Sequence, residues 1–190
     1  MDQIYTHPKR KTKVVLVQLG SPSEPTTKAL RKYLRKFLGD PRVVDINPWL
    51  WKIILNFFVL PFRPKKSAKL YARIWDGKSF PLITNTRDFT NNVREELKKI
   101  DPNGHVEVNH AFLLSPPYVN EVYDSWEDDL KKGIGATKLL VIPMFPQYSE
   151  STIASGIDAL AKELSKRVKI PTFEVITNFH RTHAFIDNSV

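Results

Sequence analysis

The feature that most limits what this chain can fold into is a repeated alternation of short β-branched runs with apolar stripes at helical spacing. Val14 to Leu19 is a strand-like run ending in Gly20-Ser21-Pro22, and Ala29, Leu30, Leu34, Phe37 and Leu38 follow as a stripe stopped at Gly39. Phe89, Val93, Leu97 and Ile100 form the next stripe, closed by Asp101-Pro102-Asn103-Gly104. His105 to Leu114 reads as a strand, and Val122, Trp126 and Leu130 as a helix ended by Gly133. Leu139 to Phe145 is a fully apolar strand, and Ile153, Ile157, Leu160, Leu164 and Val168 mark a further helix. Thr172 to Thr177 is a fourth strand, and Thr182 to Val190 reads as a helix that has only begun. Four strands separated by helical crossovers predict an α/β fold, a four-stranded parallel sheet with helices on both faces. The expected division is a basic N-terminal tail over 1–13, one α/β domain over 14–180, and a helix start over 181–190.

In such sheets ligands sit beyond the carboxyl ends of the strands. That rule selects four loops: Gly20–Pro25, Ser115–Tyr118, Pro146–Thr152 and Asn178–His183. The first is not a Gly-rich dinucleotide fingerprint, although it can present backbone N–H groups to an anion. The third gathers Gln147, Tyr148, Ser149, Ser151 and Thr152 into one strand-to-helix turn. One of the two serines suffices to cap the helix; the surplus of polar groups suits a site that orients a flat ligand with polar edges. The chain has no Cys, which excludes disulfides, a thiolate nucleophile and a Cys-held zinc or iron–sulfur site. Among the five His, His180 and His183 with Asp187 have the spacing of a partial metal site, but a helix-start and packing role explains them at least as well.

Charge is uneven. Residues 1–75 hold 16 Lys and Arg against 4 Asp and Glu, whereas the whole chain holds 29 against 20. Such a basic portion fits nucleic acid, an anionic membrane or an anionic ligand, or is simply a set of solvated helix faces. Nucleic acid is disfavoured, because the aromatic residues there cluster with aliphatics and do not interleave with cations as a stacking platform requires. The apolar stretch from Trp49 to Phe62 is too short to span a bilayer and contains Lys52 and Asn56. Pro48 and Pro61 bound it, and Arg63-Pro64-Lys65-Lys66 follows. A buried helix is the simpler expectation; an apolar lip flanked by cations, with Trp49, Trp51, Phe57, Phe58 and Phe62 on it, is the other. The N-terminus lacks the apolar run of a signal peptide, so a cytoplasmic location is expected, with the lip allowing membrane association.

Four runs together resemble the ferrochelatase family: Val14-Val15-Leu16-Val17-Gln18-Leu19-Gly20-Ser21-Pro22, Phe37-Leu38-Gly39-Asp40-Pro41-Arg42-Val43-Val44-Asp45, Lys69-Leu70-Tyr71-Ala72-Arg73-Ile74-Trp75, and Phe145-Pro146-Gln147-Tyr148-Ser149 with Ser151-Thr152. The resemblance implies two similar α/β domains of chelatase-like, flavodoxin-like form, facing each other across a porphyrin cleft, of which this chain is similar to the N-terminal one. It implies insertion of ferrous iron into protoporphyrin IX in the last step of haem synthesis, a lyase-class reaction with no permanently bound cofactor and no iron–sulfur cluster. The porphyrin-facing residues it implies are Leu19, Gly20, Ser21, Pro22, Tyr71, Phe80, Phe112, Leu113, Gln147, Tyr148, Ser149, Ser151 and Thr152. The lip is associated in the family with membrane contact and porphyrin access.

The family's decisive His, in a His-Gly-like motif, and its decisive Glu have no counterpart here, since none of the five His precedes Gly or Ser. The chain alone is therefore expected to be inactive, with a missing second domain, uncovered apolar surface and self-association. His183 matches a supporting position. Leu19 matches protoporphyrin-using members, where coproporphyrin-using ones often carry Tyr, and Glu150 stands where cluster-bearing relatives have Cys. Phe80 stands where members usually have Ser, and Phe112-Leu113 where many have Arg-Tyr. These changes support an alternative reading, a porphyrin- or haem-binding relative without chemistry.

Overall fold

Uninterrupted apolar runs become strands here because a strand inside a parallel sheet is covered on both faces and needs no polar alternation. The computed structural model describes residues 11–131, 136–167 and 170–187. Within them β1 (Lys11–Gln18), β2 (Val106–Phe112), β3 (Ala136–Pro143) and β4 (Thr172–Val175) form one all-parallel sheet in the order β2-β1-β3-β4. β1 is central, paired with β2 from Thr12↔Val106 to Gln18↔Phe112 and with β3 from Thr12↔Lys138 to Val17↔Pro143. Its residues divide the core between two faces. Val15 and Val17, with Ala111, Leu139 and Val141, meet Tyr123 of α5 (Val119–Lys131) and Leu160 and Leu164 of α6 (Ser155–Leu164). Val14 and Leu16, with Val108, meet Val93 and Leu97 of α4 (Pro81–Ile100). The sheet thus has helices on both faces, as the alternation predicts.

The element bounds shift in detail. β1 starts at Lys11, three residues before its apolar run, β2 is shorter than 105–114 at both ends, and β3 starts at Ala136 and stops at Pro143. β4 keeps only Thr172–Val175, and its first three residues are exposed. α6 ends at Leu164; Val168 lies outside the described residues, as do Gly133 and residues 188–190. The final helix is described as α7 (His183–Asp187). α1 (Thr27–Leu38) follows its stripe closely: the Thr26 hydroxyl accepts the Ala29 N–H at 3.2 Å, and Gly39 ends it. In α4 the expected stripe is only half right, because Phe89 and Ile100 are exposed whereas Thr86 and Thr90 are buried beside Val93 and Leu97.

The buried-helix expectation for Trp49 to Phe62 fails. α2 (Pro48–Ile54) is capped by Asn47, whose side chain accepts the Trp49 and Leu50 N–H groups at 3.1 and 3.3 Å. It runs into a π-helical turn over Leu55–Val59, and α3 (Arg63–Tyr71) starts beyond Pro61. Only Leu55 and Leu60 of this stretch are buried, against Tyr33, Leu34 and Leu38 of α1. Trp49 is 78% exposed and Phe62 73%, with Phe57 and Phe58 similar. A helix apolar on every side buries only the side that has a neighbour, and α1 supplies one such side. Among the described residues no helix is long and apolar enough to cross a membrane.

Candidate functional site

The strand order determines where a ligand can gather. The connection from β1 goes to β2 on one side, and the next passes back over β1 to β3 on the other, so the crossovers part between β1 and β3. Ligands of such sheets commonly sit there, beyond the carboxyl ends of the strands, but the cavity of this chain lies on the β1–β2 side. The loop after β1 is fastened to the loop after β2. Leu113 N–H donates to the Gln18 carbonyl (3.1 Å), Leu114 N–H to the Leu19 carbonyl (3.0 Å), and Ser21 N–H to Ser115 Oγ (3.3 Å). Gly20 makes this approach feasible. It sits at φ +92°, and a Cβ on it would lie 2.4 Å from Ser115 Oγ.

Beside these loops is an open cavity of about 360 Å³. Ser21, Pro22 and Ser23 form one side, Ala29, Lys32, Tyr33 and Lys36 of α1 another, and Trp75, Lys78, Ser79, Phe80 and Ile83 a third; Leu114, Ser115, Pro116 and Tyr118 complete it. Its aromatic part is a connected cluster. Phe80 meets Trp75 and Tyr71 edge-on, with ring centroids 4.7 and 5.4 Å apart, and Tyr71 lies 6.3 Å from Tyr33. The Tyr33 hydroxyl donates to the Gly20 carbonyl at 3.4 Å, and burial pushes its phenol above the ordinary tyrosine range, so it stays protonated. Lys36 Nζ donates to the Tyr118 hydroxyl at 3.0 Å and lies 4.5 Å from the centre of that ring. Three lysines therefore line the cavity, and among the described residues no Asp, Glu or His does. Such a space accepts an apolar plate with anionic edges but offers no ordinary general base.

The expected site residues separate into groups. Ser21, Pro22 and Phe80 line the cavity, Gly20 does not line it but accepts a hydrogen bond from Tyr33 of the lining, and Tyr71 packs against Phe80. Leu19 and Leu113 are half-buried and Phe112 has no exposed surface; none of the three lines it. Gln147, Tyr148, Ser149, Ser151 and Thr152 lie on the loop after β3 and do not line it either. Neither serine caps by its side chain. Ser149 Oγ and Ser151 Oγ face each other at 3.2 Å, while the Ser149 carbonyl accepts the Ile153 N–H at 2.9 Å where a π-helical turn, Glu150–Ala154, leads into α6. Tyr148 is about half exposed.

His183 is exposed at the start of α7, whereas the His180 backbone N–H donates to the Pro146 carbonyl at 3.1 Å. Among the described residues no three His, Asp or Glu side chains are placed to hold a metal ion, so His180, His183 and Asp187 do not close into a site. Of the lip residues, Trp49, Phe57, Phe58 and Phe62 face outward, but Trp51 turns inward and donates its Nε1–H to the Leu38 carbonyl at 2.6 Å.

Sequence reasoning missed Lys32, Tyr33, Lys36, Trp75 and Lys78 as cavity residues, whereas Tyr118 lies in the Ser115–Tyr118 loop that the carboxyl-end rule selected. A signal existed for α1: Ala29, Lys32, Tyr33 and Lys36 stand at i, i+3, i+4 and i+7, one continuous face beside the apolar stripe.

The fold and the cleft define a parallel α/β protein with a cationic, aromatic-lined candidate site beyond the carboxyl ends of β1 and β2. A sequence model of the family described as ferrochelatase matches residues 11–190. The chain is 41% identical over 174 residues to a ferrochelatase of Idiomarina loihiensis, covering 92% of this chain and 46% of that protein. It is 39% identical over 173 residues to a ferrochelatase of Actinobacillus pleuropneumoniae, covering 91% and 52%. It is 38% identical over 178 residues to a coproporphyrin III ferrochelatase of Streptococcus mutans, covering 93% and 53%. The chain belongs to the ferrochelatase family. It spans about half the length of the curated relatives it matches.

Proposed function

We propose that this chain supplies the porphyrin-facing wall of a protein that inserts ferrous iron into protoporphyrin IX, iron and porphyrin both being substrates. The observation that carries the reading is the cleft beside Gly20-Ser21-Pro22, with Tyr33, Trp75 and Phe80 as its aromatic part, Lys32, Lys36 and Lys78 as cations, and no carboxylate among the described lining residues. A porphyrin is a broad apolar plate with propionates on its edge, and that combination is what the lining complements. Metallation removes two pyrrole N–H protons, which requires a base beside the ring. Among the described residues the cleft lining has none, so this chain is expected to bind porphyrin without metallating it. A porphyrin-binding relative without chemistry is the second reading, favoured by Phe80 in the cleft.

Titration with protoporphyrin IX is expected to shift the Soret band, and the diester, which lacks the anionic edge, to bind more weakly. The triple variant Lys32→Gln, Lys36→Gln, Lys78→Gln is expected to lose on the order of tenfold in affinity, about 1.4 kcal/mol shared among three exposed charge contacts. No Soret shift with the unmodified chain would sink the reading. Iron insertion by these residues alone would show that the base lies within them. If a protein extended to the length of the relatives binds porphyrin yet inserts no iron, the second reading holds.

The lip has a separate proposed role, contact with an anionic membrane surface. Its outward Trp49, Phe57, Phe58 and Phe62 are followed by Arg63, Lys65 and Lys66. Flotation with phosphatidylglycerol-containing vesicles is expected to carry the protein along, and Phe57→Ser with Phe58→Ser to abolish most of that; equal flotation of both forms would remove the role.

A further inference from the structure

The turn that follows α1 is fixed locally. The Asp40 carboxylate accepts the Arg42 N–H at 2.8 Å, and the Asp40 carbonyl accepts the Val43 and Val44 N–H groups at 3.0 and 3.2 Å. From this turn the Arg42 guanidinium reaches the helical run after β3. Its Nε and one terminal nitrogen contact the two oxygens of Asp158 at 2.8 and 3.3 Å, and the other terminal nitrogen donates to Glu150 Oε2 at 3.1 Å. The remaining Glu150 oxygen accepts from the Tyr148 hydroxyl at 3.4 Å. Arg42 thus links Glu150 to Asp158 in a continuous chain, Tyr148–Glu150–Arg42–Asp158.

All of these groups are substantially exposed, and an isolated exposed ion pair contributes little. Two facts set this one apart. The guanidinium fork meets Asp158 bidentately, which fixes orientation as well as distance, and it holds a second carboxylate at the same time. The Asp158 carboxyl is kept below its ordinary range, chiefly by the hydrogen bond from Arg42. The two ends also belong to different parts of the fold. Val43 and Val44, next to Arg42, pack on the α1 cluster with Leu55 and Leu60 from the lip segment, whereas Glu150 and Asp158 belong to the run that leaves β3.

The geometry points to Arg42 as a positioning residue that ties the lip-bearing lobe to the Tyr148–Thr152 loop and holds the half-exposed Tyr148 ring, outside the Gly20–Phe80 cavity, as a further contact for the porphyrin. The ligand in that statement rests on the function proposed above; the tie itself does not. Arg42 does not line the cavity. It acts through Glu150, which orients Tyr148, and through Asp158, which fixes the guanidinium.

The test uses amide hydrogen exchange in the absence of porphyrin, together with porphyrin titration. Arg42→Ala is expected to speed exchange over residues 148–154 about tenfold while the melting temperature stays close to that of the parent, and to weaken porphyrin binding several-fold. Asp158→Asn should reproduce both effects, and adding it to Arg42→Ala should change little more, because the two residues form one unit. Arg42→Lys should recover only part, lacking the fork. Lys98→Ala, which removes an exposed ion pair elsewhere, should alter neither measurement. Unchanged exchange over 148–154 in Arg42→Ala would overturn the tie, and faster exchange with unaltered porphyrin affinity would overturn its role in positioning Tyr148. If the parent chain binds no porphyrin, the functional reading falls, and the exchange measurement still decides the tie.

Discussion

Replacing Gly20 by alanine is expected to cost about 3 kcal/mol of stability and to abolish measurable porphyrin binding. Two effects add. A residue with a Cβ at φ +92° lies outside the regions open to L-residues, a strain of roughly 1–3 kcal/mol. The new Cβ would also lie 2.4 Å from Ser115 Oγ, 3.1 Å from Phe112 Cβ and 3.2 Å from the Ser115 nitrogen. The hydroxyl can rotate away, but it accepts the Ser21 N–H, and losing that bond costs about 1 kcal/mol. Phe112 cannot yield, because it is fully buried and its N–H is bonded to the Pro117 carbonyl at 2.7 Å. The loop after β1 must therefore lift, and Ser21 and Pro22 leave the cleft wall. Urea unfolding and Soret titration measure the two consequences. Gly20→Ala combined with Ser115→Ala removes the closest clashing atom and should recover part of the stability but not the strain. A Gly20→Ala protein within about 0.5 kcal/mol of the parent would contradict the argument, since a loss that small is typical of an unstrained surface change.

The strands were legible because burial on both faces leaves an unbroken apolar signature, and Val14 to Val17 shows it plainly. What periodicity cannot reveal is which strand lies beside which. The carboxyl-end rule singled out four loops, but only the order β2-β1-β3-β4 brings Ser115 against Gly20 and leaves the Tyr148 loop outside the cavity. α4 misled for a different reason. Thr86 and Thr90 are buried because their hydroxyls donate to the Leu82 and Thr86 carbonyls one turn back, both at 2.7 Å, which satisfies them within the helix. A hydrophobic stripe counts them as polar and places Phe89 inside. The lip shows the converse: apolar character predicts burial only where another layer is present, and Leu55 and Leu60 have one while Trp49 and Phe62 do not. The Arg42 contacts join residues more than a hundred positions apart, and no local pattern announces them.

Phe80→Ser is expected to lower stability by about 3 kcal/mol, even though serine is the residue the family resemblance places there. The sign depends on two opposed contributions. Phe80 occupies the N-cap position of α4, with extended φ −94° and ψ 146°, followed by Pro81 in the first turn, and it makes no side-chain cap. Serine fits that backbone and would return about 1 kcal/mol by accepting an N–H of the first turn. Against this, the Phe80 ring is 2% exposed and packs edge-on against Tyr71 and Trp75. Removing a buried phenyl group costs roughly 3–5 kcal/mol. The ring therefore outweighs the cap, and thermal melting should fall by roughly 10 °C for a chain of this size. Phe80→Ala separates the two contributions: it loses the ring without gaining the cap, so it should lie about 1 kcal/mol below the serine variant. Equal stability of the alanine and serine variants would show that no cap forms, and a serine variant as stable as the parent would show that the aromatic cluster contributes nothing. The expected ordering, parent above serine above alanine, would mean that Phe80 gives up a helix cap for aromatic packing at a position that serves both the cleft and the start of α4.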